Sequence, residues 1–161
     1  MLSEGAVATI AGTMVTASLP FYLYGAWIMV GREQDHVTWE RLVRHLRVIV
    51  PGLVLNTVPV TLWMVPRLLD QFGGVAALHA FLGLQAYALL AFGLTGIVRI
   101  FQVKRAADLY EVEDPETSLN DLHEHMGAWR GRLRIGVFGY VLFWFLAYAI
   151  GVYRYYGLYI A

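Results

Sequence analysis

Residues 75–98 read VAALHAFLGLQAYALLAFGLTGIV, 24 residues without a formal charge. At a helical rise of about 1.5 Å per residue, such a run exceeds the roughly 30 Å hydrocarbon core of a bilayer. In lipid every backbone polar group has to be satisfied within its own segment, so the run is a membrane-spanning helix. Only His79 and Gln85 interrupt its apolar character strongly.

Three further stretches repeat the pattern. Gly5 to Val30 carries no charge, Val48 to Pro66 is uncharged although it holds Pro51, Asn56, Thr57 and Pro59, and Ile135 to Tyr153 is uncharged again. The expected fold is therefore all-α: an up-and-down, integral membrane four-helix bundle in one transmembrane domain over 1–161, with spans at 5–30, 48–66, 75–98 and 135–153. Composition agrees, because 58% of the 161 residues are hydrophobic and 15% charged, against roughly 45–50% and about 25% in soluble domains. No basic residue precedes the first run, which argues for a retained span rather than a secretory signal. There is no cysteine, which excludes disulfides, thiolate metal sites and c-type haem attachment.

The connections carry their own signals. Pro20 is expected to kink the first span, and Thr38 reads as the N-cap of a helix that brings Arg41, Arg44, His45 and Arg47 into the second. A short connection with Arg67, Asp70, Gly73 and Gly74 makes the second and third spans antiparallel neighbours. Residues 106–120 form an acidic loop containing Glu111, Glu113, Asp114, Pro115 and Glu116, and Ser118 with Asp121 reads as a capping pair. Four tyrosines in the tail from Tyr153 to Ala161 match an interfacial aromatic belt.

Orientation follows from the basic residues. Arg32, Arg41, Arg44, Arg47, Arg99, Lys104, Arg105, Arg130, Arg132 and Arg134 flank the two connections after spans one and three, whereas the other side holds Arg67 and Arg154. Ten against two places those connections in the cytoplasm and both termini outside it, in a multi-pass protein of the cell membrane.

Candidate chemistry is sparse. Asn56 falls near mid-bilayer on one helical stripe with His45, Gly52 and Pro59, a face expected to pack inward. Gln85 lies at similar depth and could meet it; either amide serves as a packing hydrogen bond or lines a path. His79 heads a stripe of small residues with Gly83, Ala86 and Gly93, the pattern of close helix packing and also of a helix that flanks a porphyrin. Haem b is the cofactor that His45 or His79 would admit, but two axial ligands at matched depth are required. His36, His45, His123 and His125 all fall on the side opposite His79, leaving Met64 as its depth-matched alternative. His123 and His125, at i and i+2, do not share a helix face and so make a poor metal pair. Arg130, Arg132 and Arg134 with Trp129 form a collar for anionic lipid headgroups. Gly127 and Gly131 make a G-x-x-x-G outside any apolar run, which carries little weight as a dimer motif. No catalytic constellation, phosphate-cradling loop or nucleic-acid module is present.

The stretches SLPFYLYGAW, GLVLNTVPVTLWMVPRLLDQ, LHAFLGLQAYALLAFGLTGIVRIFQVKR and WRGRLRIGVFGYVLFW together resemble small four-helix membrane proteins of halophilic archaea. The arginine-rich, lysine-poor composition suits a halophilic archaeon or a high-GC organism; the resemblance implies a membrane location and no activity. More loosely, His45 and His79 at helix ends look like small cytochrome b-type and oxidase-assembly bundles. The expected function is a non-catalytic membrane subunit or accessory protein, of a respiratory or electron-transfer complex, with the lipid bilayer and other membrane subunits or a homo-oligomer as partners. The alternatives are a b-type haem electron-transfer protein and an oligomeric channel or transporter component.

Overall fold

The computed structural model describes residues 2–29, 38–68, 74–109 and 119–161. All regular structure among them is helical. Helix α1 spans Glu4–Met29 and α2 spans Trp39–Pro59; a π-helical turn, Val60–Met64, and a short helix α3, Val65–Leu68, continue α2. Helices α4, Gly74–Ala106, and α5, Met126–Tyr159, follow, the latter preceded by a 3-10 turn at Leu119–Asp121. Four segments, Glu4–Met29, Trp39–Arg67, Gly74–Ala106 and Met126–Tyr159, are long and apolar enough to cross a membrane. The protein is a multi-pass helical bundle in contact with lipid, and its surface says so: Trp27, Leu62, Phe138 and Tyr153 are each more than 70% exposed.

The helices outrun the apolar stretches that announce them. Helix α4 passes Arg99 and ends at Ala106, because Asp108 takes a left-handed conformation, φ 55°, and closes the helix. Leu109 N–H donates to Lys104 O at 2.8 Å and Asp108 N–H to Arg105 O at 3.2 Å, the paired bonds of a Schellman cap. At the start of α2, Thr38 accepts from Arg41 N–H at 3.3 Å, the expected N-cap. Helix α1 runs unbroken through Pro20. Ser118 of the expected capping pair with Asp121 lies outside the described residues; α5 starts at Met126, after His125. Arg32, His36, Asp70, Gly73 and the acidic run 111–116 also lie outside the described residues.

Two antiparallel hairpins build the bundle, α1 on α2 and α4 on α5. Neither hairpin is held by apolar packing alone. In the first, Arg41 Nε donates to Ile28 O at 3.0 Å and His45 Nδ1 to Gly25 O at 2.9 Å. α1 has no basic residue in its last turn, so side chains of α2 satisfy its C-terminal carbonyls and oppose its dipole. In the second, Gly93 and Gly136 meet backbone to backbone, and a Cβ on Gly136 would lie 2.7 Å from Leu89 O. Gly96 is equally tight, 2.5 Å from Trp129 O. Small residues thus bring α4 and α5 together near the end where α5 begins. Ala86, Tyr140 and Trp144 form the buried centre, with Tyr22 and Leu89 packed against it.

Both chain ends lie at one end of the bundle. Thr9 Oγ1 and Tyr155 Oη are 2.7 Å apart, Thr16 Oγ1 and Tyr148 Oη 3.1 Å, and Arg67 bridges Glu4 at 3.2 Å. The second and third spans, expected as antiparallel neighbours, meet where α3 adjoins α4 and through the Tyr87 side chain, which reaches Asn56 and Thr57 of α2.

Candidate functional site

Between the helices, in the half of the bundle that bears the termini, lies a cavity of about 720 Å³. Every span contributes to it: Ala8 to Pro20 of α1, Asn56 to Arg67 of α2 and α3, His79, Gly83 and Tyr87 of α4, and Trp144 to Tyr159 of α5. The lining stops at Pro20, Asn56, Tyr87 and Trp144, so the cavity is blind at mid-bundle. Its depth from Ala8 to Pro20 is 12 residues, about 18 Å along a helix.

Physical reasons for the opening are visible in the sequence once the helices are placed. The close Gly93 and Gly136 contact pins α4 to α5 toward one end. Toward the other, bulkier groups intervene, with the His79 ring 3.1 Å from the place of a Cβ on Gly151. Gly12 and Gly83 line the cavity, and a Cβ on either would meet nothing within 4 Å. The small-residue stripe below His79 therefore divides, for Ala86 and Gly93 are packed while Gly83 is open. The π turn at Val60–Met64 lies in the cavity wall between Pro59 and Pro66. Thr61 Oγ1 donates to the carbonyls of Thr57, at 2.9 Å, and Val58, at 3.1 Å. Threonine hydroxyls bond back in this way to the i−3 and i−4 carbonyls of their own helix.

The floor is polar and neutral. Asn56, 2% exposed, donates from Nδ2 to Tyr87 Oη at 2.9 Å, and Thr57 Oγ1 is 3.0 Å from the same hydroxyl. Tyr87 fills the place expected for Gln85, which is half-buried, lies outside the cavity lining and makes no bond to Asn56. One helical turn deeper than Trp144, Tyr140 is buried against Tyr22, ring centroids 6.1 Å apart. Among the described residues two buried side-chain polar atoms lack a hydrogen-bond partner, Tyr140 Oη below the floor and Trp63 Nε1 in the wall. The walls combine small and aliphatic residues with aromatic rings, Trp144 stacking on Tyr148 at 5.3 Å with 6° between planes.

The mouth carries the charge. Arg67 sits 4.8 Å above the Trp63 ring and donates to Trp63 O at 3.4 Å. On α5, Arg154 also lines the cavity, and its Nη1 lies 3.2 Å from His79 Nδ1. A guanidinium cannot accept, so Nδ1 is the acceptor and His79 is neutral with its proton on Nε2. His79 thus turns to α5.

His45 and His79 do not come together. His45 is level with Gly25, whereas the pairs Thr9 with Tyr155 and Thr16 with Tyr148 set Gly151, beside His79, level with Thr13. Twelve residues separate these levels, about 18 Å. His45 is committed to a backbone carbonyl and His79 to Arg154. Met64 does line the same cavity as His79. Arg132 and Arg134 are exposed at the opposite end of the bundle, while Arg130 donates to Asn120 Oδ1 at 3.5 Å. Trp129 is covered by the His123 ring, centroids 4.6 Å apart. Among the described residues no three His, Cys, Asp or Glu side chains are grouped to hold a metal ion.

Fold and site define a small multi-pass helical membrane protein with a blind interhelical cavity. The chain belongs to the family Domain of unknown function DUF7321, whose model matches residues 4–160, so the family unit includes all four spans. No curated protein and no solved structure matches the chain.

Proposed function

We propose that this is a non-catalytic membrane binding protein that holds a lipid-soluble molecule between its helices, as a carrier or as an accessory subunit of a larger membrane complex. The observation that carries the reading is the cavity of about 720 Å³, which falls in the roughly 300–1,000 Å³ range of small-molecule sites. It also has their chemistry, apolar and aromatic walls with a few polar groups at defined places. Gly12 and Gly83 add to the support, because in a helix packed for its own sake an open glycine forgoes both contacts and helix propensity.

An electron-transfer role through haem b has less behind it, since His45 and His79 lie at different depths and each has another partner. A channel would need assembly of several copies, because the cavity within one chain ends at Asn56 and Tyr87. A respiratory or electron-transfer complex is one setting for an accessory subunit, and co-purification from native membranes would identify that partner.

Native mass spectrometry of the protein released from its own membranes tests the binding reading. A retained apolar molecule at one per chain is expected on the wild type and not on Gly83→Leu, whose side chain projects into open space. Equal adducts on both proteins, or none on either, would contradict it.

A further inference from the structure

The cavity's two ends differ in what they can recognise, and the difference names a ligand class. At the floor the polar atoms already serve one another, Asn56 with Tyr87 and Tyr87 with Thr57. A polar head placed there would have to displace that network in surroundings where an unpaired polar group is costly. At the mouth the lining includes two guanidinium groups, Arg67 and Arg154, and, among the described residues, no carboxylate. Glu4, the carboxylate paired with Arg67, stays outside the lining with its side chain 75% exposed. An exposed pair of this kind exchanges partners at little cost. Arg67 is also held in place by the Trp63 ring and the Trp63 carbonyl rather than trailing into water.

Resting on the binding reading above, we infer that the cavity takes a single-chain amphiphile with an anionic head, a carboxylate or a phosphate monoester. The head sits between Arg67 and Arg154 at the mouth, and the chain runs inward along Thr13, Gly83 and Trp144 toward Asn56. A guanidinium matches both head types, since it offers paired donors to two oxygens of either one. The depth of about 18 Å suits a long extended alkyl or isoprenoid chain.

The test measures binding of tritiated hexadecanoate, hexadecyl phosphate and hexadecanol to protein in phosphatidylcholine nanodiscs, with empty discs subtracted. Saturable binding of at least one of the two anions is expected, about tenfold tighter than the alcohol. Which anion binds identifies the head. The double variant Arg67→Gln, Arg154→Gln should bring the anion down to the level of the alcohol. The double variant Arg67→Lys, Arg154→Lys should retain a preference for anions and shows that the sites tolerate substitution. Gly83→Leu should abolish binding of all three. Equal binding of acid and alcohol, unaffected by the arginine variants but lost in Gly83→Leu, would overturn the anionic head and leave the binding reading intact. Anion binding that survives Gly83→Leu but not the arginine variants would mean headgroup contact at the surface and would overturn the inference. No binding above empty discs for any probe would overturn both.

Discussion

Single glycines in this protein do opposite work, and their substitution separates packing from vacancy. Alanine at Gly136 would press its Cβ on the backbone of Gly93 and Leu89, which cannot yield as a side-chain tip can. A loss of about 1–3 kcal/mol, of the order of other overpacked sites, is expected. Alanine at Gly83 meets nothing and removes glycine's helix penalty, so a gain of about 0.5–1 kcal/mol is expected. Thermal unfolding in one detergent compares the two; a Gly136→Ala protein as stable as wild type would show that the hairpin contact is not tight. At the cavity floor, a double-mutant cycle with Asn56→Leu and Tyr87→Phe should give a coupling of about 0.6–2 kcal/mol for the bond between them. Zero coupling would remove that bond from the account. Asn56 was legible as an inward residue from its stripe with Gly52 and Pro59, because helical period alone fixes a shared face. Its partner was not legible. Gln85 looks the more polar residue, but at six positions from His79 it points away from the cavity, and the hydroxyl of Tyr87 reaches across from α4 instead. Tyrosines in apolar runs read as bulk, which also hid Tyr148 and Tyr155.

At the scale of elements, what ends a helix was harder to read than what makes it span. The uncharged run ends at Val98, yet α4 continues through Arg99 and Lys104 to Ala106, since arginine and lysine are good helix formers once outside lipid. Its true stop is Asp108 in a left-handed conformation that carries no sequence flag when the residue is not glycine. Asp108→Gly should stabilise the protein by up to about 1 kcal/mol, because it relieves the Cβ conflict and removes a negative charge from a helix C-terminus. Asp108→Ala, which removes the same charge but keeps a Cβ at φ 55°, should gain less. Thermal melts of the pair check this, and equal effects would mean that the conformation is not strained. The first hairpin has a parallel device. Arg41 and His45, countable in the sequence only as basic residues beside a span, close the carbonyls at the end of α1.

For the whole molecule, the four spans and their antiparallel order followed from apolar length and connection length. The cavity did not, because it arises from the lateral spacing of helices that one sequence does not encode locally. The contacts of Glu4 with Arg67 and of Thr9 with Tyr155 place both termini at one end of the bundle. The excess of Lys and Arg at the other end leads to the proposal that this terminal end faces outward. With no native cysteine, Ser3→Cys on intact cells should react with a membrane-impermeant maleimide and Asp121→Cys should not. The reverse pattern would invert the molecule. The central claim is that the space between Asn56 and Arg67 holds a molecule. Its most direct test is an experimental density map of the protein taken from native membranes into nanodiscs without detergent. The account predicts one elongated density running from the Asn56 and Tyr87 floor to the Arg67 and Arg154 mouth. Helices closed over that space, with Gly12 and Gly83 packed against neighbours, would contradict it.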